Sequence, residues 1–343
     1  MNKNIKQHIK KFKEKRILVI GDAMLDKYIH GIAERLSPEA PVPVILQKET
    51  SYRLGGAANV ANNVKVLGAQ AALVSIIGED YDGKEFLKKM SSEGLDTSGV
   101  YRLFDRPTIV KTRILAGHQQ VVRIDNEVRE EIDSFLLSEI MAILSQMIPA
   151  NDAVIISDYG KGVVNKELLE FIINQCNGCN KPVIIDPKPG NTPYYRHATL
   201  ITPNHKETEE MSGIRFNTPA ELERAGRTLL EKLECQYLLV TLGEKGMALF
   251  EKDKERIDIP SRPKSVFDVT GAGDLVVSVA ALCLAAGCSF YDSAFLANIA
   301  AGIEVSKLGN ASVTIEELIS EFEYKSPVTF NGNRAYKSFF IRK

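Results

Sequence analysis

Short apolar runs alternate along this chain with segments of helical pattern, and most runs end at a glycine or a polar residue. The runs cover residues 16–21, 74–78, 153–157, 182–186, 200–202 and 237–241. Uniformly apolar runs are typical of strands that are buried on both faces. Repeated strand–helix units predict an α/β fold with a mainly parallel sheet that is covered by helices on both faces.

Composition excludes several classes of partner. The chain has 343 residues, of which 44% are hydrophobic, so it can form a sizeable core. Its 43 Lys and Arg residues nearly balance its 44 Asp and Glu residues, which gives no electrostatic reason to expect nucleic acid or an anionic membrane. The N-terminus lacks the apolar segment of a signal peptide, and no apolar run is long enough to span a membrane. Five cysteines, an odd number, fit reduced thiols in the cytoplasm.

The segment Asp268-Val-Thr-Gly-Ala-Gly-Asp274 precedes a long apolar segment, and it predicts a loop that enters a buried helix. Gly271 and Gly273 let backbone N–H groups approach an anion, which the helix N-terminus also favours. Bound phosphate would repel Asp274 unless that residue had a function, and accepting a proton from an attacking hydroxyl is one. The spacing alone equally allows a tight turn followed by an acid that suits the helix dipole.

Polar residues gather where the predicted strands end. Because ligands bind beyond the carboxyl ends of parallel strands, these residues offer acids for Mg²⁺ and lysines for phosphate at one edge of the sheet. They are Asp158, Lys161, Asp186, Lys188, Asn204, Glu207 and Thr241. Asp22 and Asp26 follow the first strand, where they suit either sugar hydroxyls or a helix cap. Asn59 follows a Gly-Gly turn on a helix of small residues, which suits either a ligand or close packing.

Two segments, residues 27–53 and 100–125, have the alternating pattern of strands, and three prolines exclude a helix in the first. Together they predict a small antiparallel sheet inserted into the α/β body, which is a candidate lid. No linker separates two domains. We therefore expect a single domain over residues 1–343, with lid insertions at about 27–53 and 100–125.

The motifs, in this order and over almost the whole chain, resemble those of the ribokinase-like (PfkB-type) sugar kinases. The matching segments are Gly21-Asp22, Gly55-Gly56-Ala-Ala-Asn59, Asn204-x-x-Glu207, Thr241-Leu-Gly-Glu-Lys-Gly246 and Asp268–Asp274. Within the family, four segments resemble kinases that phosphorylate D-glycero-β-D-manno-heptose 7-phosphate at O1, on the route to ADP-heptose for lipopolysaccharide. These are Gly21-Asp-Ala-Met-Leu-Asp26, Arg35-Leu-Ser-Pro-Glu-Ala-Pro-Val-Pro43, His118-Gln119-Gln120 and Ser157-Asp-Tyr-Gly-Lys-Gly162.

The resemblance implies a three-layer α/β/α sandwich with a β-strand lid, and a role for each matching residue. Asp274 would deprotonate the sugar hydroxyl, beside an anion hole formed by the N–H groups of Gly271, Ala272 and Gly273. The acceptor would be held, together with its phosphate, by Asp26, Gly56, Asn59, Lys161 and Arg123. The nucleotide would lie along Asn204, Thr241, Gly243, Gly246 and Asn298. Mg²⁺ would be held, through water, by Glu207, Asn204 and Asp186.

The resemblance also implies ATP and Mg²⁺ as cofactors. It leaves open whether a monovalent cation such as K⁺ also binds. It implies a homodimer formed through the lid, and it gives no reason to expect nucleic acid or a membrane as a partner. Leu275 departs from the smaller or polar residue that many relatives carry after the base. Many heptose kinases continue into a nucleotidyltransferase domain, and since this sequence stops near the end of the kinase fold, we expect it to phosphorylate only. Another sugar or nucleoside kinase, and an inactive sugar-phosphate sensor, are the alternatives.

Overall fold

Thirteen strands lie in the described part of the chain, which covers residues 2–117, 119–261, 271–307 and 312–325 of the computed structural model. They are β1 (Arg16–Gly21), β2 (Ala23–Leu36), β3 (Pro43–Gly56), β4 (Gln70–Gly78), β5 (Val100–Leu103), β6 (Val110–Ala116), β7 (Gln119–Asn126), β8 (Ala153–Ser157), β9 (Val183–Asp186), β10 (Leu200–Ile201), β11 (Tyr237–Thr241), β12 (Met247–Glu251) and β13 (Ile257–Ile259). Each of the six apolar runs predicted as a strand overlaps one of them.

Ten α-helices lie in the same ranges. They are α1 (Asn2–Lys10), α2 (Ala57–Val66), α3 (Tyr81–Ser92), α4 (Ser134–Ala150), α5 (Lys166–Gly178), α6 (His205–Ser212), α7 (Pro219–Leu233), α8 (Ala272–Ala285), α9 (Phe290–Glu304) and α10 (Ile315–Lys325). Over the residues described, none of these helices is long and apolar enough to cross a membrane.

The main sheet has nine strands in the order β13-β12-β11-β10-β9-β8-β1-β4-β5. The strands from β11 to β5 pair in parallel, and only β12 and β13 run antiparallel to their neighbours. The predicted mainly parallel sheet is therefore confirmed. Its parallel strands end at one edge, which brings the loops after β1, β8, β9, β10 and β11 together.

The core lies on both faces of this sheet, as successive residues of β1 show. Ile17 and Val19 belong to a cluster with α2, α8 and α9, whereas Leu18 and Ile20 belong to a cluster with α4, α5 and α7. Adjacent side chains on a strand point to opposite faces, so a strand that is buried on both sides needs an unbroken apolar run. This arrangement is the predicted three-layer α/β/α fold.

A second sheet of four strands, in the order β3-β2-β6-β7, forms the lid. Two corrections to the sequence-based prediction follow from its pairing. Strand β5, placed in the lid by the predicted range 100–125, pairs with β4 in the main sheet. The predicted antiparallel sheet contains one parallel pair, β2–β6, between two antiparallel hairpins. The parallel pair arises because α2, β4, α3 and β5 separate the two hairpins and bring the chain back in the same direction.

Candidate active site

Helix α8 begins at the edge of the main sheet where the parallel strands end. Gly271 precedes it with φ of 91°, a left-handed conformation that favours glycine. The first N–H groups of an α-helix have no acceptor within the helix, so those of Ala272, Gly273 and Asp274 are free to bind an anion. Asp268, Val269 and Thr270, the start of the predicted segment, lie outside the described residues.

Asp274, in the first turn of α8, is buried with 6% of its surface exposed. Asn59 on α2 donates a hydrogen bond of 2.7 Å from Nδ2 to its Oδ2, and the hydroxyl of Tyr159 donates one of 2.7 Å to its Oδ1. Burial raises the pKa of Asp274 to about 6, against the lowering effect of these two hydrogen bonds. A carboxylate of this kind is charged at neutral pH, is held in one orientation, and has a pKa close to the range that suits a general base.

Tyr159 is a site residue that the sequence reasoning did not single out. It lies in the loop after β8, within the segment Ser157–Gly162 that carried part of the family resemblance. Buried Asp22 holds this loop, because its carboxylate accepts hydrogen bonds of 3.0 Å from the backbone N–H groups of Tyr159, Lys161 and Val163. Asp22 is therefore occupied in placing Tyr159 beside Asp274, and its carboxylate is not open to a sugar hydroxyl.

Asp26 and Gly56 lie where the lid meets the main sheet. Asp26 is 5% exposed and forms an ion pair with Arg113 of β6. Gly56 ends β3 with φ of 56°, and a Cβ there would lie only 2.3 Å from the carbonyl oxygen of Asp22. The close approach of β3 to the end of β1 thus requires glycine, and it places Asn59 at the start of α2.

Lys161 and Arg123, the two residues predicted to bind a substrate phosphate, already have carboxylate partners. Lys161 Nζ lies 2.5 Å from Glu127 Oε2, and the Lys161 side chain is only 11% exposed. Arg123 donates two hydrogen bonds, of 2.8 and 2.9 Å, to the two oxygens of Asp125. His118, from another segment of the resemblance, lies outside the described residues.

Asn204 and Glu207 form a capping box at the start of α6. The Asn204 side chain accepts a hydrogen bond of 3.0 Å from the Glu207 N–H, and the Glu207 carboxylate accepts one of 3.0 Å from the Asn204 N–H. The Asn-x-x-Glu spacing therefore has a local structural role in addition to any role with a ligand.

Acidic side chains lie close to this helix start. Burial raises the pKa of Asp186 well above its usual value, and the charges of Asp274 and Glu207 raise it further. Carboxylate and amide oxygens are ligands that Mg²⁺ prefers. Among the described residues, no group of three or more His, Cys, Asp and Glu side chains forms a preformed metal site. The oxygens present suit a Mg²⁺ ion that keeps most of its water and phosphate ligands.

Of the other residues predicted to bind the nucleotide, three lie at the end of β11 and in the turn to β12, and the fourth lies on α9. Thr241 ends β11 and forms a parallel bridge with Asn204, and Gly243 and Gly246 have φ of 60° and 93° in the turn to β12. Asn298 on α9 donates a hydrogen bond of 2.7 Å to the carbonyl oxygen of Pro260. The structure thus brings Asn204 and Thr241 together, whereas the Asn298 amide holds the chain after β13.

The sequence matches known proteins in two comparisons. Residues 14–317 match the profile described as pfkB family carbohydrate kinase. The bifunctional protein HldE of Trichlorobacter lovleyi is 44% identical over 305 residues, which are 89% of this chain and 62% of that protein. The bifunctional protein HldE of Helicobacter pylori is 42% identical over 304 residues, 89% of this chain and 65% of that protein. The chain thus spans less than two thirds of the length of these two relatives.

Solved structures share the fold. The ribokinase of Arabidopsis thaliana, solved with ribose and ATP, has a TM-score of 0.72 at 20% identity and covers 90% of this chain and 99% of its own. The phosphofructokinase-2 of Escherichia coli has a TM-score of 0.73 at 16% identity and covers 90% of this chain and 98% of its own. The predicted ribokinase-like fold is confirmed. On the evidence of the matched profile, this chain belongs to the pfkB family of carbohydrate kinases.

Proposed function

We propose that this chain is an ATP-dependent kinase that phosphorylates D-glycero-β-D-manno-heptose 7-phosphate at O1, in the formation of ADP-heptose for lipopolysaccharide. One observation carries the proposal: buried Asp274 is held by Asn59 and Tyr159 at the helix start where an anion can bind. The choice of acceptor is supported by the HldE relatives at 42–44% identity. The proposal includes a cytoplasmic location and a single kinase domain.

Each step of the reaction has a group to perform it. The Asp274 carboxylate accepts the proton of the acceptor hydroxyl, so the O–H bond breaks as the new O–P bond forms. The bond from the γ-phosphorus to the bridging oxygen breaks, and ADP leaves with that electron pair. The N–H groups of Gly271, Ala272 and Gly273 stabilise the negative charge on the transferred group. Asp26, Gly56 and Asn59 position the sugar.

ATP lies along the carboxyl ends of β10 and β11 in this proposal. Its binding residues are Asn204, Thr241, Gly243, Gly246 and Asn298. When bound, Mg²⁺ neutralises charge on the β- and γ-phosphates. Glu207, Asn204 and Asp186 would hold it through water, since their oxygens suit that ion. A monovalent cation such as K⁺ near the start of α8 stays a prediction.

The lid supports a homodimer. Its strands and the turn between β2 and β3 expose large apolar side chains. Exposed apolar side chains that lie together mark an interaction surface. In the lid these side chains are Ile32, Leu36, Val42, Leu46, Val121, Val122 and Ile124, each at least 40% exposed. The Leu36→Glu variant, in which a charge replaces a 70%-exposed leucine, should sediment as a monomer while the native chain sediments as a dimer. A native chain that is monomeric would contradict the dimer.

Release of ADP from Mg-ATP tests the acceptor. The panel contains D-glycero-β-D-manno-heptose 7-phosphate, fructose 6-phosphate, fructose 1-phosphate, ribose and adenosine. We expect selective turnover of the heptose phosphate. Turnover of a different acceptor would replace the heptose assignment by another kinase of this family, and no turnover with any acceptor would favour an inactive sensor.

A further inference from the structure

The face of the lid sheet that carries Asp26 is rich in cations. In the strand register, Asp26 lies opposite Lys111 of β6 and Arg53 of β3, and alternate residues of a strand share a face. The next row pairs Arg113 of β6 with Arg123 of β7. These two rows, called the lid face below, carry six charged residues: Arg53, Lys111, Arg113, Arg123, Asp26 and Asp125. The next row adds the carboxylate of Glu49, opposite His30.

The lid face lies close to the proposed base. Lys111 Nζ is 5.6 Å from the centre of the Tyr159 ring, and the hydroxyl of the same ring contacts Asp274. The charges of Asp26 and Lys111 both act on Asp274, in opposite directions. An acceptor whose hydroxyl lies against Asp274 would therefore extend beneath the lid face.

Among the described residues, two cations of the lid face have no carboxylate within ion-pair distance. Arg113 pairs with Asp26, and Arg123 pairs with Asp125. Within the ranges that the structure describes, neither Lys111 nor Arg53 forms an ion pair. Arg53 lies over the Tyr28 ring at 5.2 Å, on which Arg113 also lies at 5.3 Å. Burial lowers the pKa of Lys111, which is the penalty of holding an ammonium group away from water.

We propose that Lys111 and Arg53, together with Arg113, bind a phosphate group that the acceptor already carries. The inference rests on the proposed kinase function, because that function places the acceptor between Asp274 and the lid. The lid face has four cations and two carboxylates, so it carries a net positive charge that favours binding of a phosphate anion. Arg53 and Arg113 offer planar guanidinium groups that suit phosphate oxygens, and Lys111 adds a point charge.

This assignment replaces the residues that the sequence indicated. The Lys161 ammonium lies 2.5 Å from Glu127, and the Arg123 guanidinium is bound by both oxygens of Asp125. In both places a carboxylate already neutralises the cation. Binding at Lys111 and Arg53 breaks no ion pair, and it compensates a partly buried charge.

Pairs of acceptors that differ only in their phosphate test the proposal. The native enzyme, Lys111→Gln and Arg53→Gln are assayed with heptose 7-phosphate and with the unphosphorylated heptose. Each variant should lose about 10- to 100-fold in kcat/KM for the phosphorylated acceptor, the effect of one charge-assisted hydrogen bond. The value for the free sugar and the KM for ATP should change by less than about threefold. Lys111→Arg and Arg53→Lys should recover part of the loss.

Lys48→Gln is the matched control, since it removes an exposed cation from the same sheet, and it should leave the preference unchanged. The proposal is overturned if both acceptors lose activity equally, or if KM rises for ATP instead, which would place the nucleotide's phosphates at the lid face. If the native enzyme uses a different phosphorylated acceptor, the heptose assignment fails and the variants are tested with that acceptor and its free sugar. A native preference for free sugars would overturn the phosphate site itself.

Discussion

In the part of the site that we propose faces the acceptor, the hydrogen bonds of Asp274 join α8 to α2 and to the loop after β8. In the part that we propose faces the nucleotide, the hydrogen bonds between Asn204 and Glu207 stay within the first turn of α6. We call these the acceptor half and the nucleotide half. The first is buried and built by tertiary packing, whereas the second is set by local sequence, with Asn204 exposed. Substitutions in the acceptor half should therefore act on catalysis, and those in the nucleotide half on ligand affinity and local stability.

The largest effect is expected at the centre of the acceptor half. Asp274→Asn should lower kcat by about 10²- to 10⁴-fold, because an amide keeps the shape of the side chain but cannot accept the proton. ADP release at saturating substrates measures the loss. Unchanged circular dichroism and unchanged affinity for ATP are the controls, and a kcat within threefold of the native value would remove Asp274 from its role.

A smaller effect is expected at Tyr159. Tyr159→Phe should lower kcat/KM about tenfold, through loss of a hydrogen bond to a charged group. The bond stabilises the carboxylate form, so its loss should raise the pKa of Asp274 above about 6. Since the active form is the carboxylate, activity that falls as the pH is lowered should fall at a higher pH in the variant.

The pH profile of kcat/KM measures this shift. The charges of Asp26, Lys111 and Asp186 also act on Asp274 or Tyr159, so their titration contributes to the profile. Tyr101→Phe is the control, because the Tyr101 hydroxyl has no hydrogen-bond partner in the described structure. An unshifted profile in Tyr159→Phe would mean that the phenol does not act on the base.

The smallest effect is expected at Asn204 in the nucleotide half, where two substitutions distinguish its role as a helix cap from its proposed role in binding ATP. Asn204→Ser keeps a capping oxygen and loses the amide, whereas Asn204→Ala loses both. Both variants should raise the KM for Mg-ATP, but only Asn204→Ala should lower the free energy of unfolding, by about 1 kcal/mol. Thermal unfolding and ATP titration measure the two effects. Equal stability of the two variants would show that the cap contributes little.

The same contrast explains what could be predicted from the sequence. Strand β1 was recognisable because burial on both faces leaves an uninterrupted apolar run. The start of α6 was recognisable because the capping residues Asn204 and Glu207 lie only three positions apart. Tyr159 could not be recognised, since its partner Asp274 lies 115 positions away. The ion pairs of Lys161 and Arg123 were invisible for a related reason: a motif identifies a cation but does not show whether a carboxylate neutralises it.

The range of the lid was also predicted only in part. Strand β5 is four residues long, and such a short run carries too little periodicity to assign it to one sheet or the other. Strand β5 pairs with β4 because the chain returns through α3 and enters β5 parallel to β4. Lys111 and Arg53 lie beside Asp26 only because β2 pairs with β6 and with β3. The lid face therefore could not be derived from the sequence alone.

The central claim is that the acceptor half acts as one unit around Asp274. A double-mutant cycle on Asp274 and Tyr159 tests this claim most directly. The kcat for heptose 7-phosphate is measured in the native enzyme, in Asp274→Asn, in Tyr159→Phe and in the double variant. If Tyr159 acts through Asp274, Tyr159→Phe should lower kcat about tenfold in the native background and by less than about twofold in Asp274→Asn. The same factor in both backgrounds would contradict the account.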